Sequence, residues 1–207
     1  MITVKEMRAL ERFAQKKGIF PIHLMENAGK QVYAIIKEGY GLLGKHIVIF
    51  AGAGNNGGDG FVAARHFAEE CRVVVLFFGE EENLTEEAQE NYDKIKDKIN
   101  IISIATKEDL EQFHIQDDLP LILVDALLGT GVNGTIREPV SLGIEYFNSL
   151  NGIKVAVDIP SGLNADTGVI EDKACNADLI ITFHDLKMGL ENYKEKTVVA
   201  DIGIPVK

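Results

Sequence analysis

The 207-residue sequence predicts a single α/β domain, a doubly wound, mostly parallel sheet preceded by two helices. Three observations carry that reading. Short apolar runs without polar alternation recur along the chain, helical patterns separate most of them, and a glycine-rich turn joins the first run to a helix. Runs of this kind belong to strands buried on both faces, as in a parallel sheet covered by helices. A hydrophobic content of 46% is enough to fill such a core.

Residues 3–18 read as a helix, with Thr3 and Glu6 at capping-box spacing and Gly18 as terminator. A second helix opens at Pro21, a residue suited to the first turn, and runs to about Leu43. Met25, Ala28, Val32, Ile35 and Ile36 form its apolar face. Both precede any strand, so they either cap the sheet or contribute to an oligomer interface. Strand-like runs follow at 47–50, 73–78, 101–104, 121–124, 155–157, 179–182 and 198–200. Helical patterns occupy 61–70, 86–99, 107–114 and 139–150. No Pro/Gly/Ser-rich linker or repeat interrupts them, so residues 1–207 form one predicted domain, and Glu80, Glu81 and Glu82 read as a solvated loop.

Composition removes several function classes. A formal net charge of −11 argues against non-specific nucleic-acid binding and against an electrostatic membrane partner. No apolar run is long enough to span a bilayer and no signal-peptide core follows Met1, so the expected setting is cytoplasmic. Cys71 and Cys175 are too few for a disulfide framework or a cysteine metal cluster and read as small buried hydrophobes. The five histidines show no metal spacing, and neither a G-x-x-x-x-G-K-[ST] phosphate loop nor a G-x-S-x-G elbow is present.

The chemistry concentrates at three predicted strand ends. The first is the turn from Ala51 to Gly60, in which Gly52, Gly54 and Gly57 satisfy G-x-G-x-x-G. Glycines let N–H groups turn toward an anion at a helix N-terminus. Asn55, Asn56 and Asp59 are more polar than a phosphate turn requires. The second runs from Asp125 through Leu128 to Thr135, and the third is Asp158-Ile159-Pro160-Ser161-Gly162. In a parallel sheet all three emerge on the carboxyl edge, where ligands bind, with Asp125 and Asp158 projecting into a shared cleft. Singly, each has a structural explanation: a capping aspartate, asparagines in left-handed turns, turn glycines. Together they mark a site. Two other readings stay open at this point: a non-catalytic nucleotide-binding module, and a nicotinamide-dependent oxidoreductase with Glu80 or Glu81 on a ribose hydroxyl.

The motifs Asn55-Asn56-Gly57-Gly58-Asp59-Gly60, Asp125-Ala126-Leu127-Leu128-Gly129-Thr130-Gly131 and Asp158-Ile159-Pro160-Ser161-Gly162 resemble those of the NAD(P)H-hydrate epimerase family, the YjeF N-terminal domain. Leu24-Met25-Glu26-Asn27-Ala28-Gly29 and Thr182-Phe183-His184-Asp185-Leu186-Lys187-Met188-Gly189 fit as well. The resemblance covers nearly the whole chain. It implies a Rossmann-like three-layer αβα fold, commonly dimeric, and a repair activity that interconverts the R and S forms of NADH or NADPH hydrated at C6 of the nicotinamide ring. A separate dehydratase, which acts on the S form, then restores the cofactor. This partner is often fused behind the domain, and 207 residues leave no room for it.

By the same resemblance, Asn55, Asn56, Gly57, Gly58 and Asp59 bind substrate, with Gly129, Thr130, Gly131, Val132, Asn133, Gly134, Thr135 and Asp158. Asn56, Asp125 and Ser161 would hold one potassium ion per subunit, their hard oxygens suiting such a cation. Asp158 is the expected general acid and base, its pKa raised by burial and neighbouring carboxylates, with Lys187 as the group that tunes it.

Overall fold

The computed structural model describes residues 1–113, 120–131 and 134–205. Helices α1 (Val4–Lys16) and α2 (Pro21–Tyr40) come first, then β1 (His46–Ala51), α3 (Asn55–Phe67), β2 (Arg72–Phe77), α4 (Glu86–Ile95) and β3 (Asn100–Ser103). They are followed by α5 (Lys107–Gln112), β4 (Leu121–Ala126), α6 (Val140–Ser149), β5 (Ile153–Val157), β6 (Leu179–Phe183) and β7 (Thr197–Ala200). The seven strands form one sheet in the order β3-β2-β1-β4-β5-β6-β7, with every pairing parallel. The chain steps outward from β1 in one direction, then restarts on its other side at β4. That reversal opens a crevice between the carboxyl ends of β1 and β4.

Alternation within the buried strands builds the three layers. Ile47, Ile49 and Ala51 of β1, with Ile122 and Val124 of β4, pack against Val32 and Ile36 of α2 and Phe61 and Phe67 of α3. The intervening Val48, Phe50, Leu121 and Leu123 face Ile144 and Phe147 of α6. Phe50 stacks on Phe78 at 5.8 Å and meets Phe147 edge-on at 5.2 Å. Burying one such ring contributes about 2–3 kcal/mol, so each face has its own aromatic anchor.

Several boundaries differ from the sequence expectation, among them the ends of α3 at Phe67 and of α4 at Ile95, each short of the expected 70 and 99. The polar Asn-Asn-Gly-Gly-Asp segment is not a loop: α3 starts at Asn55, six residues before the apolar pattern begins. Helix α2 stops at Tyr40 because Gly41 takes a positive φ of 65°. The expected helix 107–114 is helical to Gln112, and His114 lies outside the described residues. Of the acidic run, Glu81 begins an exposed 3₁₀ turn ending at Asn83. Among the described residues no helix is long and apolar enough to cross a membrane.

Candidate active site at the carboxyl edge of the sheet

Helix α3 enters the crevice with no side chain capping its N-terminus, Gly54 standing at the cap position. The first N–H groups of the helix therefore stay available to an anion. Asn55 is exposed, and its Oδ1 accepts from Thr85 Oγ1 at 2.6 Å. Asn56 is buried; its Nδ2 donates to the Leu128 carbonyl at 3.0 Å, while its Oδ1 has no partner. Gly57 and Gly58 are packing residues that do not line the crevice. A Cβ on Gly57 would stand 1.8 Å from the Gly52 carbonyl oxygen, and one on Gly58 would meet Met25 Cε at 2.5 Å.

The ends of β4 and β5 are tied together through Asp125, Ser161 and Leu128. Asp125 accepts from the Ser161 amide at 2.8 Å, the Ser161 hydroxyl at 2.6 Å and the Leu127 amide at 3.2 Å. Ser161 Oγ in turn accepts from the Leu128 amide at 2.8 Å and lies 3.1 Å from the Leu128 carbonyl. Asn56, Asp125 and Ser161 thus gather around Leu128. Asp125 does not project into the cleft: it is fully buried beneath it, where burial raises its pKa against the lowering effect of the Ser161 hydrogen bonds. Among the described residues no three His, Cys, Asp or Glu side chains cluster as a metal site. The oxygens around Leu128 come instead from amide, hydroxyl, carboxylate and carbonyl groups.

Asp158 follows β5 in a left-handed conformation, φ 62°, unusual for a residue with a side chain. Its Oδ1 accepts from Lys187 Nζ at 2.5 Å, Phe183 N at 3.2 Å and Thr182 Oγ1 at 3.3 Å. Its Oδ2 receives no hydrogen bond among the described residues. Lys187 is fully buried and also donates to the Phe183 carbonyl at 2.8 Å. A lysine, not a carboxylate, is therefore the direct partner of Asp158. Two acids lining the cavity are raised by their surroundings: Asp59, by burial and then the charges of Asp158 and Glu11, well above 3.8 although Lys187 opposes them, and Glu11, by burial and then Asp158.

These walls enclose a cavity of about 690 Å³ lined by Asn55, Asn56, Asp59, Asp158 and, from the loop after β4, Gly129, Thr130 and Gly131. A shallower neighbour of about 420 Å³ is lined by Thr135, Ile136 and Arg137 and shares Leu128, Gly129 and Gly131. Gly134 turns away, its amide donating to Glu171 at 2.7 Å, and Val132 and Asn133 lie outside the described residues. Glu81, one of two residues considered for a ribose hydroxyl, accepts instead from Tyr92 at 2.9 Å and lines neither space. The sequence reading missed the roof. Val4, Met7, Arg8 and Glu11 of α1 close the larger cavity, together with Leu24 and Met25 of α2. The helical spacing of Thr3 and Glu6 located α1, but nothing in its pattern says which element it covers.

The YjeF-related protein N-terminus family matches residues 21–189. The chain is 38% identical to the NAD(P)H-hydrate epimerase of Nitrosopumilus maritimus over 99% of its own length and 95% of that protein's. It is 41% identical to the bifunctional NAD(P)H-hydrate repair enzyme Nnr of Pyrobaculum aerophilum, again over 99% of this chain, and spans 42% of that longer protein. The crystal structure of the yeast protein ynu0 superposes with a TM-score of 0.81 at 25% identity, covering 96% of this chain and 86% of that one. Family match, near-complete relatives and shared architecture agree: the chain belongs to the YjeF N-terminal family, whose members include NAD(P)H-hydrate epimerases.

Proposed function

We propose that this protein is an NAD(P)H-hydrate epimerase that interconverts the R and S forms of hydrated NADH or NADPH. The observation that carries the reading is Asp158, a carboxylate fixed through one oxygen by buried Lys187 and left with a second oxygen at a cavity beside an uncapped helix N-terminus. Epimerisation at C6 must erase a stereocentre bonded to a hydroxyl and to the ring nitrogen. Loss of the hydroxyl as water gives a planar iminium, and opening of the ring gives an aldehyde. Either route needs a proton carrier at C6, and a positioned carboxylate supplies about 10²–10⁴-fold in such steps. The amides opening α3 and the Gly129–Gly131 backbone suit the pyrophosphate, which the acidic surface by itself would repel.

The oxygens around Leu128 fit a potassium ion. Asn56 Oδ1 is buried without a partner, an arrangement that costs free energy unless something meets it. Asn56, Asp125 and Ser161 would hold the ion, and it would supply positive charge beside the phosphates. The proposed assembly is a homodimer acting in the cytoplasm alongside a dehydratase specific for the S form. A monomeric mass in sedimentation equilibrium rejects the dimer.

The activity is tested by supplying purified R-hydrate with an S-specific dehydratase and following recovery of NADH absorbance. The protein is expected to accelerate recovery, and Asp158→Asn to lose about 100-fold or more. Near-wild-type recovery by Asp158→Asn removes its assignment, and no acceleration by the wild type removes the function.

A further inference from the structure

We propose that two carboxyl groups on different walls of the cavity divide the proton transfers, Asp59 as donor and Asp158, anchored by Lys187, as acceptor. This assignment rests on the epimerase reading and gives Asp59 a chemical role beyond holding substrate. Asp59 stands in the second turn of α3, which follows β1, whereas Asp158 follows β5. One strand, β4, separates β1 from β5. Neighbouring parallel strands lie about 4.8 Å apart, so the two walls spring from strand ends roughly 10 Å apart, and both acids line the cavity between them.

The two acids are chemically alike and differently housed. Asp158 holds a buried ammonium and a backbone N–H on one oxygen, which fixes that oxygen and leaves the other to the cavity. Asp59 receives no hydrogen bond among the described residues and shares its cavity with apolar Leu24, Met25 and Ala28 of α2 and Met7 of α1. The charged groups around it are Glu11 and Arg8 on α1, Asp158 after β5 and Lys187 after β6. Burial and two nearby carboxylates push the Asp59 carboxyl well above its ordinary value, toward the protonated form. Two carboxyls held in different surroundings are how one site can hold both an acid and a base.

The step balances without an oxidant or reductant. The Asp59 proton passes to the C6 hydroxyl oxygen, and the C6–O bond breaks with its electron pair leaving on water. The ring-nitrogen lone pair forms the C=N bond of the iminium. A water then adds to the opposite face, its lone pair making the new C6–O bond while the C=N pair returns to nitrogen. Its surplus proton goes to Asp158 Oδ2. One proton has moved from Asp59 to Asp158, and exchange with solvent resets the pair.

The test is the pH dependence of kcat and kcat/KM for R-hydrate in the wild type, Asp59→Asn, Asp59→Glu and Asp158→Asn, beside equilibrium binding of the hydrate. A bell is expected for the wild type, falling at high pH as Asp59 ionises. Asp59→Asn should lower kcat by about 100-fold or more and abolish the alkaline limb, whatever the change in the dissociation constant. Asp59→Glu should keep part of the rate and displace that limb. The proposal is overturned if the wild type epimerises while Asp59→Asn keeps its kcat and alkaline limb, if its whole loss lies in KM, or if Asp59→Glu leaves the limb unmoved. A wild type without epimerase activity overturns the functional reading itself and is seen before any variant is made.

Discussion

Asp59 and Asp158 show how one residue type acquires two characters from position alone. Asp158 accepts the strain of a left-handed backbone, which for a residue other than glycine costs on the order of 1–3 kcal/mol. It does so to reach Lys187 and the Phe183 amide. Asp59 has no such partners and resists ionisation. Its contribution to stability follows from linkage. A carboxyl raised in the folded state above its ordinary 3.8 holds its proton more tightly folded than unfolded. Its favourable contribution is complete below 3.8 and is lost as pH rises through the folded-state value. Asp59→Asn, which cannot ionise, is therefore expected to melt higher than the wild type at neutral and alkaline pH, with the gap closing toward pH 3.8. Thermal melts across pH 4–9 check this; a gap independent of pH contradicts it. The variant that gains stability is the one expected to lose catalysis, the trade common at sites holding unfavourable charge.

At the scale of elements, α3 decides whether the site exists. Asparagine and glycine are weak helix formers, so propensity places the start of α3 near Phe61, where the apolar pattern begins. Packing places it at Asn55, because Gly57 and Gly58 let the helix approach β1 and α2 more closely than any side chain allows. Gly57→Ala would drive a Cβ to 1.8 Å from the Gly52 carbonyl and is expected to destabilise by about 3 kcal/mol or more. Gly54→Ala meets nothing within 4 Å at an ordinary φ of −84° and should cost little stability. Chemical denaturation of the pair gives the comparison; equal midpoints refute the packing argument. The strands were readable because a parallel sheet buried on both faces leaves apolar runs that nothing else in the chain imitates. Asp158 was readable as a polar residue closing such a run. Lys187 was not, except through resemblance, since a buried lysine and an exposed one look alike in sequence. Arg8 and Glu11 were invisible as site residues because only the docking of α1 brings them to the cavity. Asp125 was placed at the right strand end but on the wrong side of it, because the alternation that aims it beneath the loop depends on register.

Across the whole molecule, the proposed potassium site joins segments that are distant in sequence: Asn56, Asp125 and Ser161. An ion bound only in the folded state stabilises by RT ln(1 + [ion]/Kd), about 2.7 kcal/mol at a hundredfold excess over Kd. The melting temperature is expected to rise with potassium beyond the rise in equimolar tetramethylammonium, and Asn56→Ala to abolish the difference. Identical melts of the wild type in the two salts would remove the site. The strand order has a further consequence for biosynthesis. The central strand β1 is made before its neighbour β4, which appears only after two outward strands, and Lys187 follows later still, after β6. The Asp158–Lys187 pair therefore cannot form on a nascent chain until residue 187 has left the ribosome, and until then Asp158 stands without its countercharge.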